Sequence, residues 1–161
     1  MTDFTPFRGR KHDEPLGHWL NNPGNLRYEE NNPWNGQLGH YHGWCVFNTV
    51  EHGCRAMMLD VRAQQTRHGA ATLAGVIERY APASDGNDPA HYARLVGKLA
   101  NVFPNATIDL RDRPVLDRVA HAMSIHEIGG KWAPRFEVFQ SVVLEQPNTC
   151  LLYTSPSPRD S

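Results

Sequence analysis

Long apolar runs are missing from this chain. None approaches the roughly 20 residues that cross a bilayer, so no membrane partner is expected. The first residues carry no apolar segment of the signal-peptide kind, so no conventional signal peptide is expected. An excess of one charge is missing too. Sixteen Lys and Arg against 17 Asp and Glu leave a formal net charge of -1, which argues against a nucleic-acid surface. Arg8, Arg10 and Lys11 form a small basic cluster, read as a solvated arm. Cysteine is scarce: of three, Cys45 and Cys54 fall within the domain, and buried reduced thiols are the default for such residues. Nine histidines are present, with His40, His42 and His52 near one another, but no HExxH or paired-Cys spacing accompanies them. No metal and no cofactor is expected. Nothing marks a nucleophile elbow, which leaves out a Ser-His-Asp or Cys-His reading.

What is present fits one globular domain with a single core: 161 residues, 40% hydrophobic and 20% charged. The stretch Asn21 to Gln37, NNPGNLRYEENNPWNGQ, is dense in Asn, Pro and Gly and reads as turn. An irregular segment of this length inside a compact chain is functional or disordered. Leu26, Tyr28 and Trp34 can anchor it, which favours order. Its remaining groups are amides (Asn22, Asn25, Asn35, Gln37), the Arg27 guanidinium, and aromatic faces. Such groups bind sugars through paired hydrogen bonds and stacking. The Asn side chains could equally be spent on their own backbone in Asx-turns.

The rest of the domain reads as mainly α, an α+β chain with one small hairpin. Gly36 to Phe47 suggests the hairpin. Asn48 or Thr49 caps a helix whose Val50, Cys54, Met57, Met58 and Val61 share a face, with Gly69 as its stop. Thr72 caps a shorter helix bearing Leu73, Val76, Ile77 and Tyr80, ended by Pro82. Asp88 caps the next, with Pro89 at its first position and Tyr92, Leu95, Val96 and Leu99 as its stripe. Asp112 caps a helix reaching Ile128, closed by Gly129-Gly130, and Phe136, Phe139, Val142 and Val143 suggest a last short one.

Residues 1–20 are expected to be a loose arm that docks only through Leu16, Trp19 and Leu20, and residues 21–148 to be the domain. The segment 149–161 looks foreign. One back-translation of Cys150 to Ser155 is TGT CTC TTA TAC ACA TCT, which resembles a transposon-end sequencing adapter, and PSPRD continues it. The tail is therefore read as a translated library scar, with the natural C-terminus lost near Asn148.

Five pieces in fixed order, NNPGNLRY, WNGQLG, VFNTVEHGCRAM, TLAGVIERYAP and NDPAHY, resemble a family of short phage proteins described as virion structural or lysozyme-like proteins. The likeness spans about Asn21 to Gly130. A more distant one runs to the peptidoglycan glucosaminidases and lytic transglycosylases of the lysozyme superfamily. There a helix ending in Glu-Ser-Gly precedes an Asn-rich turn and a hairpin. Here no glutamate-bearing helix precedes Asn21; the matching piece, His126-Glu127-Ile128-Gly129, comes later, which implies a circularly permuted order.

The resemblance implies a lysozyme-like fold and an enzyme cutting the glycan strand of peptidoglycan, or a non-catalytic virion or wall-binding protein of the same fold. It places the protein in a virion, or in the host cytoplasm without a signal peptide, acting on the bacterial wall with other virion proteins as further partners. Glu127 becomes the candidate general acid. It lies four residues beyond Met123 on the stripe Leu116, Val119, Ala120, Met123, so its carboxyl should leave solvent at least partly. Glu51, in the first turn of its helix, is the candidate second carboxylate, or else a charge favoured there by the helix dipole. Asn22, Asn25, Arg27, Trp34, Asn87, Asp88 and Tyr92 are the candidate substrate-binding residues.

Overall fold

The computed structural model describes residues 3–6 and 8–145; the proposed adapter segment and Cys150 lie outside them. In order the chain forms α1 (Leu16–Trp19), β1 (Gln37–Tyr41), β2 (Trp44–Phe47), α2 (Val50–Thr66), α3 (Leu73–Tyr80), a 3₁₀ turn (Ala83–Asp85), α4 (Pro89–Ala100), α5 (Arg113–Ile128) and α6 (Phe136–Ser141). The protein is mainly helical with one antiparallel hairpin, an α+β fold.

The helix boundaries follow local chemistry. Thr49 accepts the His52 amide, and Thr72 accepts the Gly75 amide. Gly69 closes the α2 segment at φ 75, and the Gly69 and Ala70 amides return to the Gln65 and Gln64 carbonyls. Asp88 caps α4 by accepting the His91 amide at 3.1 Å. Asp88→Ala should cost about 1 kcal/mol. That corresponds to about 2–4 °C in melting temperature for a domain of this size, read by thermal unfolding with activity retained. Asp112 stands at the N-cap of α5 without a side-chain cap bond.

Met57, Met58 and Val61 of α2, Leu73, Val76 and Ile77 of α3, Tyr92 and Val96 of α4, and Leu116, Val119 and Met123 of α5 fill the main core. Phe139 of α6 closes it. The stripe on α4 differs from the expected one. Leu99 is exposed, and the buried set is Tyr92, Ala93, Val96, Gly97 and Ala100. Glycine and alanine let α4 lie close to its neighbours, which turns the contact face away from the larger leucine. A Cβ at Gly97 would come within 2.5 Å of the Val102 carbonyl. Val142 and Val143 follow α6, and Val143 is exposed.

A second, smaller cluster of Leu26, Cys45, Phe47 and Ala56 seats the hairpin and the Asn-rich loop on α2. The loop pairs with β2: the Cys45 amide donates to the Leu26 carbonyl, and Arg27 bridges to Trp44. The segment ahead of Asn21 is more firmly tied than its composition suggests. Glu14 is buried; its carboxylate accepts from the Arg8 guanidinium and the Lys11 amide, which hold it well below the usual carboxylate range. The Phe4 amide donates to the His40 carbonyl. A buried, multiply bonded carboxylate anchors a polar arm in a way that hydrophobic spacing does not report.

Candidate functional site

Asn22 is the pivot of the loop. Its side-chain amide donates to the carbonyls of Leu26 and Cys45 and its oxygen accepts the Leu26 amide, all within 3.1 Å. Asn22 is buried with every one of those bonds made to backbone. It shapes the loop and is not a ligand contact, which corrects its assignment to substrate binding. Gly24 follows, packed against α2 and α3. Its carbonyl accepts the Tyr80 hydroxyl at 2.6 Å, and a Cβ there would meet the same hydroxyl at 2.5 Å. Asn25 then takes a left-handed backbone, φ 50, a conformation that asparagine tolerates.

That backbone aims the Asn25 amide at Glu127. Asn25 Nδ2 donates to Glu127 Oε1 at 2.8 Å, and the Tyr92 hydroxyl donates to Glu127 Oε2 at 2.7 Å. Three residues from the loop, α4 and the last turn of α5 therefore meet at one carboxyl group. Glu127 is half-buried, and burial pushes its pKa above the usual carboxylate value. The hydrogen bonds from Tyr92 and Asn25 oppose that shift without cancelling it. Burial also pushes the Tyr92 phenol well up, with the Glu127 charge adding to it. The His126 ring packs against Tyr92, tilted by 32° with centroids 3.7 Å apart, which helps hold the phenol in place.

Glu127 lines an open cleft of about 460 Å³. Trp34 and Trp44 supply aromatic surface, and the Arg27 guanidinium lies 4.3 Å from the Trp44 ring centroid. Trp34 also packs on the small loop cluster, so it both anchors the loop and borders the cleft. Asn87 also lines the cleft, with its amide donating to the Pro82 carbonyl. Glu29, Asp60, Asp85 and Glu127 line the cleft together with Arg27 and Arg79. Carboxyl groups outnumber cations, so the site does not suit a polyanion.

Four of the seven expected binding residues, Asn25, Arg27, Trp34 and Asn87, border the cleft, and Tyr92 sits behind Glu127 as its hydrogen-bond donor. Asp88 does not border it: it is exposed, and its carboxylate caps α4. Glu51 does not border it either. It is exposed in the first turn of α2, the place the helix dipole favours for a carboxylate. The carboxylate that α2 does bring to the cleft is Asp60, which sequence reasoning passed over. A signal existed. Gly53, Ala56, Asp60 and Gln64 recur at helical spacing beside the apolar stripe, and Asp60 and Gln64 both line the cleft.

Cys45 and Cys54 are buried free thiols, and burial pushes Cys45 up to about 12. Neither has the lowered pKa of a nucleophile. Among the described residues, no group of three or more His, Cys, Asp or Glu side chains is placed to hold a metal, and no helix is long and apolar enough to cross a membrane. No family model matches the chain, and no curated protein matches it significantly.

Proposed function

We propose that this protein cuts the glycan strand of peptidoglycan, as a lysozyme or lytic transglycosylase does, with Glu127 as general acid. One observation carries the reading. A half-buried glutamate with a raised pKa ends a helix at the wall of an open cleft, and two neutral donors orient it. A glycosidase acid must keep its proton near neutral pH and release it to the leaving glycosidic oxygen. Burial favours the protonated form, while Asn25 and Tyr92 stabilise the carboxylate left after transfer. The donors lower the cost of giving the proton up, and burial keeps it in place beforehand.

The cleft suits an uncharged, hydroxyl-rich polymer. Trp34 and Trp44 offer faces for pyranose rings, and Asn87 and Arg27 offer hydrogen bonds at the rims. The motif order NNPGNLRY to NDPAHY, similar to phage lysozyme-like proteins, is consistent with a virion protein that acts on the cell wall.

A second reading has one observation in its favour. Both oxygens of Glu127 already have protein partners, as in a brace that ties the loop to α4 and α5. On that reading the protein is a virion or wall-binding component of the same fold without activity. Clearing of a purified peptidoglycan suspension separates the two. The enzyme lowers turbidity with time at catalytic amounts of protein; the wall-binding component sediments with peptidoglycan and leaves turbidity unchanged.

A further inference from the structure

Asp60 has no structural task that accounts for it. It lies on α2 between the buried pair Met57-Met58 and the buried Val61, yet its carboxylate accepts no hydrogen bond and forms no ion pair among the described residues. Beyond the helix's own bonds, only its backbone carbonyl is engaged, by the Gln64 side-chain amide at 3.2 Å. Asp60 is half-buried, and partly desolvating an unpartnered carboxylate is unfavourable, so its ionised form costs the fold stability. Its side chain faces the same cleft as Glu127 from a different helix. Tyr80, whose hydroxyl is held by the Gly24 carbonyl, stands in the field of both groups.

Building on the glycan-cleaving reading above, we propose that Asp60 is the catalytic base that activates water, making this protein a hydrolase and not an anhydro-sugar-forming enzyme. The step balances as follows. Glu127 gives its proton to the glycosidic oxygen as the bond from C1 to that oxygen breaks, and the bonding pair leaves with the oxygen. Water forms the new bond to C1 and passes its proton to Asp60. Proton exchange with solvent then restores the neutral Glu127 and the ionised Asp60. No oxidant, reductant or further reactant is needed.

The environments fit this division of labour. Burial pushes Asp60 up to about 6, with the Glu29 charge adding and the Arg67 charge opposing. A base of that strength is ionised at neutral pH and still accepts a proton readily. A second carboxylate lining the same cleft supplies a group that can take the proton from water.

The test compares parent, Asp60→Asn and Glu127→Gln on purified peptidoglycan, with soluble fragments identified by mass spectrometry. The parent should release fragments with hydrated reducing ends. Asp60→Asn should lose at least about a hundredfold in hydrated product, the low end for removal of an acid–base group. Its residual product should shift to anhydro ends, which are lighter by one water. Glu127→Gln should lose both products.

Stability supplies a readout that a merely structural role would not give. The folded-state pKa of Asp60 is raised, so native protein binds the extra proton. Its contribution is therefore most favourable below about 4 and is lost as pH rises to about 6. Asp60→Asn should then melt at or above the parent temperature at pH 7. Anhydro ends from the parent, or hydrated ends from Asp60→Asn at the parent rate, would overturn the role of Asp60 while leaving Glu127 in place. Absence of any glycan product from the parent would overturn both assignments.

Discussion

Glu127→Gln is expected to lower glycan cleavage by at least about a hundredfold, which is about 2.7 kcal/mol of lost transition-state stabilisation. Glutamine keeps the shape and can still accept from one neighbour, so Asn25 and Tyr92 need not leave their places. What it removes is the transferable proton. Substrate affinity should change little, so the loss should appear in kcat and not in KM. The same variant reports on the environment of the carboxyl group. Glu127 is raised by burial, so native protein holds its proton longer than unfolded protein does. Parent stability must therefore fall as pH rises from the ordinary glutamate value of 4.5 to the raised one. In Glu127→Gln the part of that fall due to Glu127 should be absent, leaving the part due to Asp60. Clearing of peptidoglycan at the parent rate by a folded Glu127→Gln protein would remove Glu127 from the mechanism.

Gly53→Ala should be the most damaging single methyl in the chain. Alanine is favoured over glycine inside a helix by about 1 kcal/mol, so an unobstructed site would gain stability. Gly53 is obstructed. A Cβ there would lie 1.8 Å from the Asn21 carbonyl oxygen and 2.9 Å from Pro23 Cδ. Both contacts belong to the loop that carries Asn25 to Glu127. Neither is the free end of a flexible side chain, so the loop must lift from α2. Overpacking of this kind costs about 1–3 kcal/mol and more where backbone blocks backbone. A net loss of about 2 kcal/mol or more should lower the melting temperature by about 4–8 °C. Activity should fall further than the fraction unfolded explains, because Asn25 is displaced in molecules that remain folded. A melting temperature above the parent's would show that the loop does not rest on α2 in this way.

The helices were legible because their signals are local. Thr72 and Asp88 stand where a cap must stand, and Leu116, Val119 and Met123 mark one face of α5. Glu127 could be placed from that face alone, since four residues beyond Met123 is the next position on it. The hairpin was legible from its glycines. The partners of Glu127 lie 102 and 35 residues away, and no period in the sequence reports a contact across such separations. Tyr92 was reached through motif resemblance, and Asn25 through the amide-rich composition of its loop, neither through spacing.

Asp60 was hidden for a related reason. On a helix with an apolar stripe, one acid beside the stripe reads as solvent-facing. Only the loop and hairpin packed over α2 turn that flank into a cleft wall. Asn22 erred the other way. Amides in a turn-rich loop suit sugars and backbone equally well, and burial decided for backbone. The contrast between Asn22 and Asn25, three residues apart, comes from the left-handed turn at Asn25, which sends one amide inward and the other toward Glu127.

The central claim is that the bond cut by this cleft is glycosidic. It is tested most directly by digesting purified peptidoglycan with the parent protein and determining which bonds are broken in the soluble fragments. The account predicts fragments with a cleaved glycan strand and intact stem peptides, produced by the parent and lost in Glu127→Gln. Fragments with whole glycan chains and cut peptides, or no soluble fragments from folded parent protein, would contradict it.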